Sequence, residues 1–467
     1  MLERQIDGFR KLRSVERLSG GASQATYRIV IEVAGAAERT LALRQAVIRE
    51  AMGLRSAPGP ATEALLMRAA RDAGVPEPEI FHILEPQDDL GEGFLMEWLE
   101  GETLGAKIAR SPEYEAVRPR LAFACGEILA RIHSIDLERT GIDRRLTHLT
   151  PEQYVRSTWE GYQRYPTAQP MIDYTARWLL DHLPDPCEPR LVHNDFRNGN
   201  FMVTRDGIVA VLDWELAHIG DPMRDLGWLC TNSWRFGVRE REVGGFGDRE
   251  DLYRGYSSVS GSPVDPERVK FWEVFGSYWW SIGCLQMVEF ARSGPDKSVE
   301  RPAIGRRSSE CQVDCVNLLI PGPVTLVAGD PRERELDMPR ADELLAAVGD
   351  YLRGEVMETT RGRTRFLARV ASNALDIVRR EVELGPALRA RELERLRRLY
   401  ASHEDRTTLL RRLVHDLRSG ALPLDRPGLA DHLREAVVNQ VAIDQPKYSG
   451  FRHALAVGTG ETAAPRR

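Results

Sequence analysis

The stretch LVHNDFRNGNFMV, residues 191–203, constrains the fold of this chain more than any other segment. Between two apolar runs it concentrates a histidine, an aspartate and several asparagines, although a turn needs only one Asn or Gly. Thirteen residues after Asn200, Asp213 follows at the end of the apolar run IVAVLD. We therefore predict short strand-like segments in this part of the chain, with polar side chains directly after two of them.

Three side chains of these loops match the needs of phosphate chemistry. A carboxylate such as Asp195 can orient or deprotonate a hydroxyl group. Asn200 and Asp213 offer oxygen ligands to Mg²⁺, a hard ion that usually brings phosphates with it. Phosphoryl transfer depends on positioning and charge neutralisation more than on covalent chemistry. An isolated Asp-x4-Asn pattern is more often a turn, so the interpretation depends on the other motifs in the chain.

Periodicity divides the chain into a β-rich beginning and two helical parts. Residues 14–50 contain alternating and β-branched apolar runs that are typical of strands, and ATEALLMRAARDAG has helical spacing that ends at Gly74. Helices predominate from 103 to 325, and residues 340–442 contain only helical patterns. We predict an α+β protein with a small β-rich lobe at 1–100, a helical lobe at 101–328, a linker at 329–340, an all-α bundle at 341–448 and a flexible tail at 449–467.

Composition argues against several classes of function. The net charge of -6 argues against a nucleic-acid-binding protein. The longest uncharged apolar stretch, residues 274–288, is too short to span a membrane, so we expect a buried helix. The first residues lack the apolar core of a signal peptide. The six cysteines lack the paired spacing of a zinc site and are expected to be buried and reduced, which favours a cytoplasmic protein.

Five segments together carry a resemblance to a known family. They are LSGGASQATYRI, LALR, FLMEWLEG, LVHNDFRNGNFMV and VLDWELAHIGDPMRDLGWL. From about residue 10 to 325 the chain resembles the aminoglycoside phosphotransferase-like branch of the protein-kinase-like fold. The last two segments resemble the catalytic loop and the metal loop of that family. The resemblance implies a bilobal fold, ATP and Mg²⁺ as cofactors, Asp195 as catalytic base, and Asn200 and Asp213 as Mg²⁺ ligands.

The resemblance also implies a nucleotide site. Its residues are Gly20, Gly21 and Ser23 in the phosphate-covering loop, Arg44 on the third strand, Glu63 on a helix, and Glu97 and Leu99 in the hinge that holds adenine. Protein kinases and antibiotic kinases have Lys at the position of Arg44. The branch that is associated with acyl-CoA dehydrogenases tends to have Arg there, so this chain resembles that branch. Asn194 stands where that branch usually has Gly. Gly often supplies a positive φ angle, which Asn also tolerates.

Other polar residues near the two motifs receive supporting roles. We expect His193 to be structural and to hydrogen-bond backbone near the metal loop. Asp221 and Asp225 are expected to cap and pin the helix that follows them. Glu215 and His218 lie close enough in sequence to Asp213 to contact substrate or metal.

The acceptor is predicted from the same resemblance. The segments DWELAHIGDPMRDLGWL and AIGRRSSE are most similar to the kinase domain fused to acyl-CoA dehydrogenases, which implies a 4-hydroxyacyl-CoA thioester as acceptor. Arg306 and Arg307 are candidates to bind the CoA phosphates, although a solvated basic helix end explains them equally well. Residues from about 335 to 448 resemble a small helical accessory domain found beside such kinases. A downstream acyl-CoA dehydrogenase and a homodimer are the protein partners that this interpretation leaves open.

Two alternatives remain open from the sequence. The acceptor could be another small alcohol or an aminoglycoside, although a polycationic aminoglycoside needs an acidic pocket and the helical half is not conspicuously acidic. The chain could instead be a nucleotide-binding pseudokinase whose C-terminal bundle binds a partner. The presence of Asp195, Asn200 and Asp213 argues against a pseudokinase.

Overall fold

The computed structural model of the chain describes most of its residues. The described ranges are 1–18, 24–46, 58–294, 298–329 and 338–459. The chain forms two compact units: the first contains residues 1–153 and 184–273, and the second contains residues 154–183 and the residues from 274 onward. The limits of these units differ from the predicted domain boundaries at residues 100, 328 and 340. The predicted boundaries stay predictions.

An antiparallel sheet forms the N-terminal part of the first unit. Within the described residues it has five strands in the order β1-β2-β3-β5-β4. The strands are β1 (Phe9–Arg17), β2 (Gln24–Val33), β3 (Ala36–Ala46), β4 (Ile80–Ile83) and β5 (Gly93–Glu97). Alternate residues of β2 and β3 face the buried side, so Ile29, Ile31, Leu41 and Leu43 pack into one apolar cluster. The sheet confirms the predicted β-rich beginning of an α+β protein.

Helices form most of the remaining structure. They are α1 (Leu2–Gln5), α2 (Pro60–Asp72), α3 (Gly105–Arg110), α4 (Arg118–His133), α5 (Leu137–Thr140), α6 (Pro151–Gln163), α7 (Pro170–Asp181), α8 (Met223–Cys230), α9 (Arg249–Ser260), α10 (Pro266–Ser293), α11 (Glu300–Gly305), α12 (Ser308–Leu319), α13 (Ala341–Tyr351), α14 (Met357–Thr359), α15 (Gly362–Tyr400), α16 (Arg406–Ser419), α17 (Leu429–Asp444) and α18 (Ser449–Thr459). Helix α2 is the one predicted from ATEALLMRAARDAG, and Gly74 follows its end with a φ of 83°.

Helices α4 and α9 of the first unit pack with their backbones nearly in contact. A Cβ added to Gly126 of α4 would lie 2.2 Å from the Leu252 carbonyl oxygen, and one added to Gly255 of α9 would lie 2.1 Å from the Phe123 carbonyl oxygen. Glycine is therefore required at both positions, since any larger residue would push the helices apart. The close packing brings His133 of α4 within 3.0 Å of the Tyr256 hydroxyl on α9.

Two small antiparallel pairs hold the polar loops side by side. Their strands are β6 (Arg190–Val192), β7 (Phe201–Val203), β8 (Ile208–Val211) and β9 (His218–Gly220). Val192 of β6 pairs with His218 of β9, and Phe201 of β7 pairs with Val211 of β8. The loop at 193–200 joins β6 to β7, and the loop at 212–217 joins β8 to β9. Because β6 pairs with β9 and β7 pairs with β8, the two loops lie side by side. This topology brings the two sequence motifs together.

The second unit is helical in its described residues, which agrees with the predicted all-α C-terminal region. Val327, Leu388 and Ile443 form an apolar cluster in it. The Asn439 side chain on α17 accepts a hydrogen bond from the Val327 backbone N–H at 2.7 Å. Helix α17 thus fixes the extended segment that follows α12.

Two expectations from the sequence were wrong. Residues 449–459 form helix α18 rather than a flexible tail, because Phe451 and Ala454 lie three residues apart and bury one face of the helix. Cys187 is exposed, whereas the other five cysteines are buried as expected. The remainder of the predicted tail, 460–467, lies outside the described residues, as does most of the predicted linker.

Helix α10 contains the apolar stretch at 274–288 and confirms that this stretch is helical. Val274, Phe275 and Tyr278 are buried along it. Among the helices that the structure describes, none combines the length and the apolar character that a membrane span requires.

Candidate active site

A single buried carboxylate fixes the start of the loop at 193–200. Asp225, on the first turn of α8, accepts hydrogen bonds from the backbone N–H groups of His193 at 2.9 Å and Asn194 at 2.7 Å. His133 Nε2 lies 3.1 Å from the same carboxylate. Burial alone would raise the pKa of Asp225, but these partners hold it below its usual value. Asp225 therefore remains an anion and ties the loop to α8.

Asp221 and Asp225 were both expected to cap and pin α8, but their contacts differ. Asp221 accepts a hydrogen bond from the Met223 backbone N–H at 3.0 Å, as a helix cap does, and also from Arg268 at 2.7 Å and Trp272 at 2.8 Å. Asp225 holds the polar loop instead of its own helix. Sequence alone gave no sign of this contact, because the partners are 31 and 32 residues apart.

Both polar loops contain a residue with left-handed backbone geometry. Asn194 has a φ of 68° and Asp213 has a φ of 66°. Asn and Asp are the residues other than Gly that adopt this conformation most readily. Asn194 therefore supplies the positive φ expected of a Gly at this position, and its departure from the usual family sequence leaves the loop geometry intact.

The Asp195 carboxylate is oriented by three donors. Trp228 Nε1 donates to Oδ1 at 2.8 Å, and Arg197 Nε donates to the same oxygen at 3.1 Å. The Asn200 side-chain amide donates to Oδ2. The Asp195 side chain remains 16% exposed, so a ligand can reach it. Asp195 and Asn200 are therefore in contact, and this hydrogen bond orients both side chains.

Arg197 and two tryptophans are site residues that the sequence motifs did not identify. The Arg197 guanidinium carbon lies 4.1 Å from the centroid of the Trp234 ring, which is the geometry of a cation–π contact. The rings of Trp234 and Trp228 contact each other at 5.1 Å. Arg197 lies inside the motif at 191–203, so its charge beside Asp195 was a signal in the sequence. Trp228 belongs to the segment VLDWELAHIGDPMRDLGWL, but its contact with Asp195 depends on the packing of α8, and Trp234 lies beyond that segment.

Arg44 joins the sheet to the second polar loop. Its guanidinium forms an ion pair with Asp213, and its Nε lies 3.7 Å from the Glu63 carboxylate on α2. Burial alone would raise the pKa of Asp213, but the charge of Arg44 and the hydrogen bond from it lower this pKa. Arg44 therefore lies between two carboxylates, that of Glu63 on α2 and that of Asp213 in the second polar loop.

His193 lies beneath the site as a buried neutral group. Burial lowers its pKa, and its Nδ1 accepts a hydrogen bond from the Asp195 backbone N–H at 3.3 Å. Its ring packs on Trp214 at 4.5 Å. The Trp214 indole donates in turn to the buried Glu77 carboxylate at 3.0 Å. His193 therefore supports the backbone of the loop, which matches its expected structural character.

The remaining predicted site residues have different surroundings. Glu97 ends β5, where its backbone N–H donates to the Glu79 carbonyl at 2.8 Å, and Leu99 lies just beyond this strand. Glu215 is partly exposed beside Asp213, whereas His218 is buried in β9 and burial lowers its pKa to about 4. Gly20, Gly21 and Ser23 lie outside the described residues.

The two arginines proposed for CoA phosphates belong to the second unit and have carboxylate partners there. Arg306 forms ion pairs with Glu381 and with Asp444. Arg307 lies 3.3 Å from Glu310 on the same helical segment. A phosphate would have to compete with these carboxylates, so the proposed contact with CoA stays a prediction.

The donor set of the first unit fits Mg²⁺ only together with a phosphate ligand. Asp213 supplies a carboxylate, and Asn200 supplies an amide oxygen because its amide nitrogen donates to Asp195. Mg²⁺ typically takes one or two protein oxygens and completes its shell with water and phosphate. Among the described residues, no group of three or more His, Cys, Asp or Glu side chains could hold a metal ion without such help.

Two family models match separate parts of the chain. Residues 14–261 match the model of the phosphotransferase enzyme family, which is more than half of the chain. The chain belongs to this family. It is therefore a phosphotransferase, and both polar loops lie within the matched residues. Residues 358–448 match a domain of unknown function, DUF6285, which fits the predicted accessory domain.

Two curated relatives of the chain are named as acyl-CoA dehydrogenase family members. It is 34% identical over 224 residues to acyl-CoA dehydrogenase family member 10 of Mus musculus, which covers 45% of this chain and 19% of the relative. It is 32% identical over 174 residues to family member 11 of Gallus gallus, which covers 35% of this chain and 22% of the relative. The chain thus spans about a fifth of the length of these curated relatives.

A solved structure supports the fold. A candidate aminoglycoside phosphotransferase from Ralstonia eutropha superposes with a TM-score of 0.54 at 22% sequence identity, covering 68% of this chain and 95% of the other. At this identity the likeness concerns the fold alone. It agrees with the predicted bilobal kinase-like fold.

The left-handed backbone at Asn194 can be tested with two substitutions. Asn194→Ala and Asn194→Gly both remove the side chain, but only Ala resists a positive φ. We expect Asn194→Ala to lower the free energy of unfolding by about 1 kcal/mol relative to Asn194→Gly. Urea denaturation of the two variants measures this difference. Equal stabilities would contradict the backbone argument.

Proposed function

We propose that the chain transfers the γ-phosphate of ATP to a hydroxyl group of a small molecule, with Asp195 as the catalytic base. The observation that carries the proposal is the fixed, reachable Asp195 carboxylate beside Asn200. Asp213 lies in the neighbouring loop and is paired with Arg44. Phosphoryl transfer depends on positioning and charge neutralisation, and these three side chains can provide both.

The hydrogen bonds of Asp195 suggest which atom takes the proton. A carboxylate offers about four lone-pair positions on its two oxygens. Oδ1 accepts from both Trp228 and Arg197, whereas Oδ2 accepts, within the described residues, only from the Asn200 side chain. Oδ2 is therefore the atom that we expect to accept a hydrogen bond from the acceptor hydroxyl, and then its proton. A general base of this kind contributes roughly 10²- to 10⁴-fold to the rate.

Asn200 and Asp213 are the residues that would hold Mg²⁺. The ion would neutralise charge on the phosphates when it is bound. Arg44 is partly buried beside Asp213 and carries a planar guanidinium, which can bind phosphate oxygens at two points. Arg197 adds a second cation beside the catalytic base. These cations offset the negative charge that ATP brings into a loop pair rich in aspartate.

For the acceptor we propose a 4-hydroxyacyl-CoA thioester. The relatives are named acyl-CoA dehydrogenase family members, and the C-terminal match is to a domain of unknown function in the region where the sequence resembles an accessory domain of such kinases. An acyl-CoA dehydrogenase acting downstream is the partner that this chemistry suggests. Another small alcohol or an aminoglycoside is the second candidate, because the fold neighbour is named as a candidate aminoglycoside phosphotransferase. A pseudokinase is disfavoured, since Asp195, Asn200 and Asp213 are all present.

Removal of the base tests the mechanism. Asp195→Asn retains the size of the side chain but replaces one acceptor oxygen with an NH₂ group, and it cannot accept the proton at neutral pH. We expect turnover to fall by about 10³-fold, while the Kd for ATP changes by less than about threefold. The control is Asp206→Asn, because Asp206 is exposed on the β7–β8 turn. Turnover of Asp195→Asn like that of the wild type would exclude Asp195 as the base.

The acceptor is tested by measuring ATP consumption with a panel of hydroxyacyl-CoAs, free hydroxy acids and aminoglycosides. Mass detection of the product distinguishes phosphate transfer from simple ATP hydrolysis. We expect a product heavier by one phosphoryl group with a 4-hydroxyacyl-CoA, and its loss when Mg²⁺ is chelated. A phosphorylated aminoglycoside without a phosphorylated hydroxyacyl-CoA would support the second candidate instead. ATP binding without any transfer would support a pseudokinase.

A further inference from the structure

The second unit contains a cavity of about 520 Å³. Its wall is formed by the segment between α6 and α7 and by residues of α10, α12, α15, α16 and α17. The volume lies in the range of small-molecule sites, which is roughly 300–1,000 Å³. The motifs and comparisons described above assign no ligand to this cavity.

The wall combines apolar side chains with neutral hydrogen-bonding groups. The apolar members include Met171, Leu285, Val288, Leu388, Leu433 and Val437. The neutral polar members include Gln169, Ser308, Ser309, Gln312 and Gln440. A mixed wall of this type suits a ligand that carries hydrogen-bonding groups on an aliphatic chain.

The charged residues of the wall are largely balanced within it. Arg306 is paired with Glu381 and Asp444, and Arg406 is paired with Glu392. All five of these residues line the cavity. Because the guanidinium groups already have carboxylate partners, the wall favours a neutral ligand over a polyanion.

His432 is a buried polar group of the wall that has no hydrogen-bond partner among the described residues. Its side chain is 1% exposed, and within the described part of the chain neither ring nitrogen has a hydrogen-bond partner. Burial and the nearby charges of Arg395 and Arg406 lower its pKa to about 3, so the ring is neutral at pH 7. A neutral imidazole offers one donor and one acceptor. Leaving both without partners destabilises the folded chain, which is unusual for a residue with only a packing role.

We propose that this cavity binds a neutral small molecule whose aliphatic chain carries amide or hydroxyl groups, and that the His432 ring hydrogen-bonds to it. The glutamines and serines of the wall provide matching donors and acceptors, while the leucines and valines contact the methylene groups. The proposal is independent of the acceptor proposed above, because it is argued from the wall of this cavity and not from the polar loops. Its test measures binding without ATP. An active kinase with an empty cavity would overturn this inference alone.

The test uses pantetheine, a neutral chain that carries two amides and two hydroxyls. Isothermal titration calorimetry of the full chain is expected to show binding of pantetheine but not of hexanoate, an anion without an amide. His432→Leu is expected to raise the Kd for pantetheine at least about tenfold, which corresponds to loss of one hydrogen bond in a buried site. The control His415→Leu makes the same change at an exposed position of α16 and leaves the Kd unchanged.

Thermal unfolding separates a binding role from a structural one. If His432 serves a ligand, His432→Leu keeps or raises the unfolding temperature of the ligand-free chain, because it removes an unsatisfied buried polar group. A second variant, Ala436→Phe, places a ring in the cavity wall and is expected to abolish pantetheine binding. The proposal is overturned if pantetheine does not bind to the wild type. It is also overturned if hexanoate binds equally well, or if His432→Leu unfolds at a lower temperature and binds pantetheine normally.

Discussion

The candidate active site of this chain depends on the buried carboxylate of Asp225. It accepts hydrogen bonds from two successive backbone N–H groups of the loop at 193–200 and lies beside His133 of α4. Two consecutive N–H groups can point at one carboxylate only if the backbone turns sharply there, and Asn194 makes that turn with a positive φ. Asp195 follows immediately, so its position is set by the anion beneath it. The cost of burying Asp225 is offset by these hydrogen bonds.

Charge balance links the two polar loops to the rest of the first unit. Asp213 has Arg44 as its cation, and Arg44 also lies near Glu63 on α2. Asp195 has Arg197, which is held in place by the Trp234 ring. Each carboxylate of the site thus has a guanidinium beside it before any phosphate arrives. In a phosphotransferase this arrangement provides cations to the incoming phosphates without a large rearrangement of the protein.

Sequence motifs identified the residues of the site better than their surroundings. Asp195 and Asn200 are five residues apart in one loop, so their proximity follows from local chain geometry. The ion pair of Arg44 with Asp213 spans 169 residues and was not expected, because the resemblance assigned Arg44 to the nucleotide site and Asp213 to Mg²⁺. Trp228 and Asp225 were missed as contacts of the loop because only the packing of α8 brings them there. The helical tail was missed because its apolar face consists of a few residues, which weakens a periodic signal.

The central claim is that Asp225 positions the loop on which phosphate transfer depends. Asp225→Asn replaces an acceptor oxygen with an NH₂ group that faces a backbone N–H, so the loop loses one of its two anchors. The decisive measurement compares kcat and the Kd for ATP between this variant and Asp185→Asn, a control at an exposed loop position. We expect kcat to fall by at least about tenfold in Asp225→Asn while the Kd for ATP stays within about threefold. A kcat equal to that of the control would contradict the central claim.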